Sequence, residues 1–195
     1  MTVINVLIAG VGGQGAILAS ELLALAAIAA GHDAKQGEFH GVAQRGGSVF
    51  SHVRFGDRVY SPMARLGEVD LLVALEKLEA LRYAHFVKPG GTIIVNDHKV
   101  EPIRTADRRP YPDEAIEFLK GKGFNVVALE ATQTAIELGN HRTANVVLLG
   151  ALAEHLDIPL DVWDQILRER IPERLLALNR KAFVAGREAI GGVTS

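Results

Sequence analysis

An aliphatic run, Val3-Ile4-Asn5-Val6-Leu7-Ile8-Ala9, breaks off into Gly10-Val11-Gly12-Gly13-Gln14-Gly15, and an alanine-rich segment follows as far as Gly31. Few folds accommodate that order. Aliphatic residues without polar alternation suit a strand covered on both faces, as parallel strands are. The segment 13–30 favours helix, and its alanines let the helix lie close to a sheet. Strand, glycine turn and helix in succession open a βαβ unit, which commits the chain to an α/β architecture.

The rest of the chain continues the alternation. Residues 48–55, 70–75, 92–96 and 124–129 have strand composition, and 76–85 and 113–120 have helical composition. Residues 37–47 are polar and glycine-rich and are expected to form a long functional loop. Gly56-Asp57 suits a hairpin turn returning through Arg58-Val59-Tyr60, and Pro89-Gly90-Gly91 suits a second turn. Beyond Ala131 no strand pattern is present. Helices are expected over 145–156, 160–168 and 172–189, with Pro172 at a favoured helix start and 191–195 fraying. The expected fold is α/β and Rossmann-like: a mostly parallel sheet flanked by helices, with a helical C-terminal third. The 195 residues suit one domain, 1–195, with a core large enough to need no cross-link.

The composition excludes several functions. The chain has no cysteine, so it carries no disulfide and supplies no thiolate to an iron–sulfur cluster. A net charge of −2 with scattered basic residues gives no nucleic-acid footprint. The densest basic group, Arg104, Arg108 and Arg109, suits a solvated loop. The seven histidines show no metal-ligand spacing. The apolar stretch 17–30 is interrupted by Ser20 and Glu21 and falls short of the ~20 residues that span a bilayer. With no signal-peptide character at the start, the expected location is the cytoplasm and no membrane contact is expected.

The glycine motif has the G-x-G-x-x-G form. Such a turn allows close backbone approach, and free N–H groups at the helix start attract phosphate. Dinucleotide binding would also want an acidic residue ~20 positions on, at the end of the second strand. Asp33 lies before that strand and Glu38 lies inside the glycine-rich loop, so neither is well placed. Close packing of helix on sheet explains the glycines equally well. A second constellation runs Gln44-Arg45-Gly46-Gly47-Ser48, followed by Ser51-His52-Val53-Arg54. An arginine among glycines offers a planar fork of donors and accessible backbone N–H groups, which together grip anions.

The glycine motif at 10–15, the loop at 44–48 and the strand at 51–54, in that order, resemble the gamma-type domain of the 2-oxoacid:acceptor oxidoreductases. The resemblance is nearest to the small (beta) subunits that act on indolepyruvate with ferredoxin. Tyr60-Ser61-Pro62, 71–76, 78–83 and Lys88-Pro89-Gly90-Gly91 continue it, and it weakens after Val100. It implies an accessory subunit of an enzyme that decarboxylates a 2-oxoacid oxidatively to an acyl-CoA, inactive alone. Thiamine diphosphate and iron–sulfur clusters would sit on a large (alpha) partner subunit, with ferredoxin as the electron acceptor. The lack of cysteine here, and of a Gly-Asp-Gly run followed by Asn-Asn, agrees with that division. Coenzyme A is the ligand expected at the shared interface, where its phosphates would meet Gly12, Gly13, Gln14 and Gly15 and the loop residues Arg45, Gly46 and Gly47. A homodimer is open to the isolated chain through whatever surface normally meets its partner.

Two alternatives stay open at this level: a free-standing NAD(P)- or flavin-linked oxidoreductase, and a non-enzymatic nucleotide sensor. His40 and His52 flank the arginine loop and suit either a substrate carboxylate or hydrogen bonds within the strand. Glu76, just past a strand, suits a helix cap better than a ligand contact. A Glu38–Arg45 pair would be structural. Asn96 and Asp97 suit a turn, and the polar patch 140–145, with Asn179 and Arg187, suits a solvated helix surface. Trp163 and Phe183 suit core or interface anchors.

Overall fold

The structure, a computed structural model, describes residues 3–40, 47–101 and 110–191. Six strands, β1 (Val3–Val11), β2 (Asp33–His40), β3 (Ser48–Gly56), β4 (Val69–Ala74), β5 (Val87–Asn96) and β6 (Asn125–Leu129), form one sheet in the order β2-β3-β1-β4-β5-β6. β1, β4, β5 and β6 pair in parallel, whereas β3 is antiparallel to both β1 and β2. β2 therefore points the same way as β1, and β3 alone runs against the rest. The mostly parallel, Rossmann-like sheet expected from the N-terminal segment is present.

Helices α1 (Ala16–Ala29), α2 (Lys77–Tyr83), α3 (Ala115–Gly121), α4 (Ala131–Glu137), α5 (Ala144–Ala153), α6 (Leu160–Arg170) and α7 (Glu173–Gly191) cover the sheet and build the C-terminal third. One face of the sheet presents Val6, Ile8, Val73 and Ile94 to a core containing α1 residues, α5 and Trp163. The other presents Leu7, Leu72, Ile93 and Val95 to Ala80 and Tyr83 of α2 and Ile116 and Leu119 of α3. Val6, Leu7, Ile8 and Ala9 are all fully buried, which is why β1 shows no polar alternation. α5 is buried from Asn145 through Ala153 and, beyond Asn145, is apolar on every side. Trp163 and Phe183 pack together in that core, with ring centroids 5.4 Å apart.

Four local expectations fail, each for a physical reason. Residues 37–40 belong to β2 rather than to a loop. Gly37 fits there because a Cβ would crowd Pro62 and Phe39, at 3.2 and 3.3 Å. No strand returns through Arg58-Val59-Tyr60. β3 is paired on both edges, by β2 and β1, and offers no free edge to a returning strand. Pro89-Gly90-Gly91 lies within β5 as an irregularity between the Val69–Val87 and Leu71–Thr92 pairs, with Gly90 at φ +77°. α4 carried too faint a signal in sequence, since it buries only Ala131 and Ala135. Arg104, Arg108, Arg109 and the fraying tail 192–195 lie outside the described residues.

Candidate functional site

The chain leaves β1 for α1 and β2 on one side of the sheet, and later continues from β4 to β5 on the other. The loops following β1 and β4 thus diverge, which opens a crevice at the carboxyl ends of the strands. A cavity of about 350 Å³ lies there, lined by Gly13, Gln14, Leu75, Asn96, His98 and Arg142 among others.

The glycine turn is held from three directions. Gln14 Oε1 accepts from Val11 N at 2.8 Å, and Gln14 Nε2 donates to Leu75 O at 3.3 Å. Gly12 N donates to Gly47 O at 2.9 Å, which joins the first glycine cluster to the end of the second. Gly15, the N-cap of α1, has φ +83°, and Asn145 Nδ2 donates to its carbonyl at 3.1 Å. The glycines therefore differ in purpose. Gly10 is packed, since a Cβ would come within 3.1 Å of both Gln14 Oε1 and Leu75 Cβ. Gly15 is both left-handed and enclosed, since its Cβ would come within 2.5 Å of Asn145 Nδ2. Gly13, at φ +102°, has open space where its Cβ would be and borders the cavity.

Gly15→Ala is accordingly expected to cost about 1–2 kcal/mol from the left-handed backbone alone. The contact with Asn145 adds to that. Denaturant titration should show Asn145→Ala recovering only the contact part in the double variant. Full recovery would mean that the backbone conformation carries no cost.

The opposite wall is basic and polar. Buried Asn96 donates to Leu75 O at 3.1 Å and to Thr132 Oγ1 at 2.8 Å, and its Oδ1 accepts from Thr132 N at 3.2 Å. It locks β4, β5 and α4 together. Asp97 instead lies at the surface, 3.0 Å from Lys77. His98 and His141 line the cavity with Arg142, whose guanidinium forms no ion pair among the described residues. Asn140 and Asn145, read from sequence as a solvated patch, separate here: Asn140 Oδ1 accepts from Arg142 N at 3.0 Å, whereas Asn145 is buried against Gly15.

Of the residues singled out from sequence, the structure brings Gly12, Gly13, Gln14, Gly15 and Gly47 together at the end of β1. Arg45 and Gly46, the Glu38–Arg45 pair and the His40 side chain lie outside the described residues. Asp33 sits level with Val3, at the end of the sheet remote from the glycine turn. It accepts from Val59 N at 2.8 Å, the main cause of its lowered pKa. The intervening β3 also moves the end of β2, with Glu38, two strand spacings from β1, roughly 10 Å. No acidic residue of β2 is thereby placed for a ribose in the crevice.

A second polar cluster was not legible in sequence. Glu76 caps α2, accepting from Glu79 N at 2.6 Å, and receives Tyr111 OH at 2.7 Å. Glu79 binds Ser48 Oγ and receives Arg82 Nη1 at 2.6 Å, and Ser48 also meets Tyr83 OH at 2.9 Å. Both carboxylates are buried. Burial pushes the Glu79 carboxyl up against the opposing pull of Ser48 and Arg82, with Glu76 adding to the rise. Burial, then the Glu76 carboxylate, pushes the Tyr111 phenol up. Ser48 and Tyr111 reach α2 from 31 and 35 positions away, so only the fold unites them.

His52 matches neither of its sequence expectations. It is fully buried, with Phe39, Phe50 and Phe86 around its ring, and neither ring nitrogen has a hydrogen-bond partner among the described residues. Burial, assisted by Arg54, pushes its pKa down to about 4. Among the described residues no group of three or more His, Asp or Glu has the arrangement of a metal site. No described helix is long and apolar enough to cross a membrane.

Comparison with known proteins gives this geometry a context. The family described as pyruvate ferredoxin/flavodoxin oxidoreductase matches residues 5–189. The indolepyruvate oxidoreductase subunit IorB of Pyrococcus horikoshii is 40% identical over 191 residues, covering 95% of each chain. The keto/oxoacid ferredoxin oxidoreductase gamma subunit of Geobacter sulfurreducens superposes with a TM-score of 0.74 at 28% identity, covering 97% of this chain and 99% of that one. A 2-oxoglutarate:ferredoxin oxidoreductase of Magnetococcus marinus, solved with 2-oxoglutarate, coenzyme A and succinyl-CoA, shares the fold. It matches with a TM-score of 0.79 at 23% identity, over all of this chain and 32% of that one.

Proposed function

Because the chain belongs to the pyruvate ferredoxin/flavodoxin oxidoreductase family, we propose that it is the small subunit of a cytoplasmic 2-oxoacid:ferredoxin oxidoreductase. The preferred substrate is an aromatic 2-oxoacid such as indolepyruvate. The observation that carries this is the match to the Pyrococcus IorB subunit, which leaves almost nothing of either chain unpaired. The chain serves as one domain, 1–195.

The residues present do not fit an iron–sulfur cluster. Clusters need thiolates, and the chain has no cysteine. The iron–sulfur clusters accordingly belong to the larger partner, and so does thiamine diphosphate, for which this chain has no Gly-Asp-Gly run followed by Asn-Asn; the partner passes electrons to ferredoxin. The crevice does fit part of an anionic ligand. Gly13 leaves open space beside the start of α1, and Arg142, His98 and His141 line the wall. These residues would hold phosphate oxygens of coenzyme A, the acyl acceptor, at the interface with the larger subunit. Their work is binding and orientation. The free-standing dinucleotide enzyme lacks support, since neither Asp33 nor Glu38 stands where a ribose would need it.

The chain co-expressed with its larger subunit and purified without oxygen should give a brown two-subunit complex with broad cluster absorption. A colourless lone protein would overturn the subunit assignment. In that complex, Arg142→Ala should raise KM for coenzyme A roughly tenfold, the loss of one charge-assisted contact, and leave KM for the 2-oxoacid unchanged. An unchanged coenzyme A KM would remove the ligand role and leave the subunit role standing.

A further inference from the structure

The polar patch 140–145 supplies Arg142 to the crevice and buries Asn145 beside it. Asn145 is 3% exposed, and its Nδ2 donates to Gly15 O at 3.1 Å. Residues on both sides of this bond line the cavity: Gly13 and Gln14 precede Gly15, and Arg142 and Ala144 precede Asn145. Among the described residues it is the one hydrogen bond that joins 12–29 to 141–153. α1 and α5 also share an apolar core, but such packing is non-directional and leaves the spacing of the two walls to the polar contact.

The need to satisfy Gly15 does not account for this bond. Gly15 O already accepts from Ala19 N at 3.0 Å, the first intrahelical bond of α1, and keeps that partner without Asn145. Asn145 Oδ1 is turned back on its own chain, where it accepts from Val146 N at 3.0 Å. What the amide adds is a fixed distance between the start of α5 and the start of α1. The approach is close: a Cβ on Gly15 would come within 2.5 Å of Asn145 Nδ2.

We propose that Asn145 is a positioning residue for coenzyme A: by holding α5 at Gly15 it sets the gap between Arg142 and Gly13, so that both walls meet the same anionic group. This role rests on the coenzyme A reading of the crevice. Asn145 itself touches no ligand and acts through Arg142. A guanidinium binds an anion strongly only when its planar fork faces the acceptor oxygens. A shift of the wall that carries it therefore weakens coenzyme A binding and leaves the 2-oxoacid, which is bound elsewhere, unaffected.

The test uses the two-subunit complex with coenzyme A as the varied substrate. Asn145→Leu is close to asparagine in shape, uncharged and without a donor. It should raise KM for coenzyme A roughly fivefold, the worth of one hydrogen bond, while kcat and KM for the 2-oxoacid hold. In an Arg142→Ala background the same change should add less than about twofold, because the group it positions is gone. Asn179→Leu controls for lost stability. It removes a buried amide that donates to Leu175 O at 2.9 Å in α7, away from the cavity lining, and should lower the melting temperature without moving KM. Asn145→Ala reads the same split should the leucine variant not assemble. A raised coenzyme A KM in Arg142→Ala with none in the Asn145 variants overturns the positioning role alone, as do additive effects of the two sites. So does a complex that neither Asn145 variant can form, since the residue would then serve the fold. An unchanged coenzyme A KM in Arg142→Ala overturns the coenzyme A reading, and the positioning role with it.

Discussion

Gly186→Ala is expected to destabilise the fold more than any other single substitution considered. A Cβ at Gly186 would sit 1.8 Å from Val147 O, and one at Gly150 would sit 2.0 Å from Phe183 O. α5 and α7 thus touch backbone to backbone at two reciprocal glycines. Overpacking usually costs about 1–3 kcal/mol when side chains can move aside. Here the obstacle is helical main chain, so relief requires the two helices to separate and the core between them to open. A loss of ~3 kcal/mol or more is expected, a large share of the ~5–15 kcal/mol of a typical domain. Urea denaturation of Gly186→Ala and Gly150→Ala against the wild type measures it. Gly121→Ala is the reference: its Cβ meets nothing within 4 Å at the end of α3, and its effect should stay within about 1 kcal/mol. A Gly186→Ala variant as stable as that reference would mean that the helices do not meet there.

The second large effect is a pH dependence set by His52. Its pKa is lowered from the usual 6.5 to about 4, so the folded chain keeps it neutral where the unfolded chain takes up a proton. Its stability contribution is complete above pH ~6.5 and is lost as pH falls toward 4, at about 1.4 kcal/mol per unit. The whole window amounts to ~3 kcal/mol. Glu79, Asp33, Asp164 and His155 also have shifted pKa values, so the informative quantity is the difference between wild type and His52→Leu. That difference should change by about 3 kcal/mol between pH 7 and pH 4, with the variant gaining on the wild type in acid. A constant difference would show that His52 titrates normally, and so that its aromatic enclosure opens to water. The ring nitrogens, without a hydrogen-bond partner among the described residues, make this an acid-sensitive point in the fold.

How far the site was legible follows the same division. The glycine turn, its place between β1 and α1, and Glu76 as a cap were all local, and each followed from residue type and spacing. The link from Gly12 to Gly47 was not, because nothing in either cluster specifies a hydrogen bond to the other. Nor was the basic wall, since His98 and Arg142 come from segments whose composition suits surface loops. Asn145 shows the limit most clearly. Its type and its position at a helix start suggest solvent, yet it is buried against the carbonyl of Gly15, 130 positions away.

The sequence by itself determined the α/β class, because an unbroken aliphatic run, a glycine turn and an alanine-rich helix admit few other arrangements. It also determined that no thiolate-held cluster resides on this chain. The tertiary structure alone decided that β3 inserts between β1 and β2. That insertion removed the expected hairpin and displaced Glu38 from the crevice. The physical reason is the range of the interactions. Propensity, capping and turn chemistry act within a few residues, whereas strand order is fixed by which distant edges find their hydrogen-bond partners.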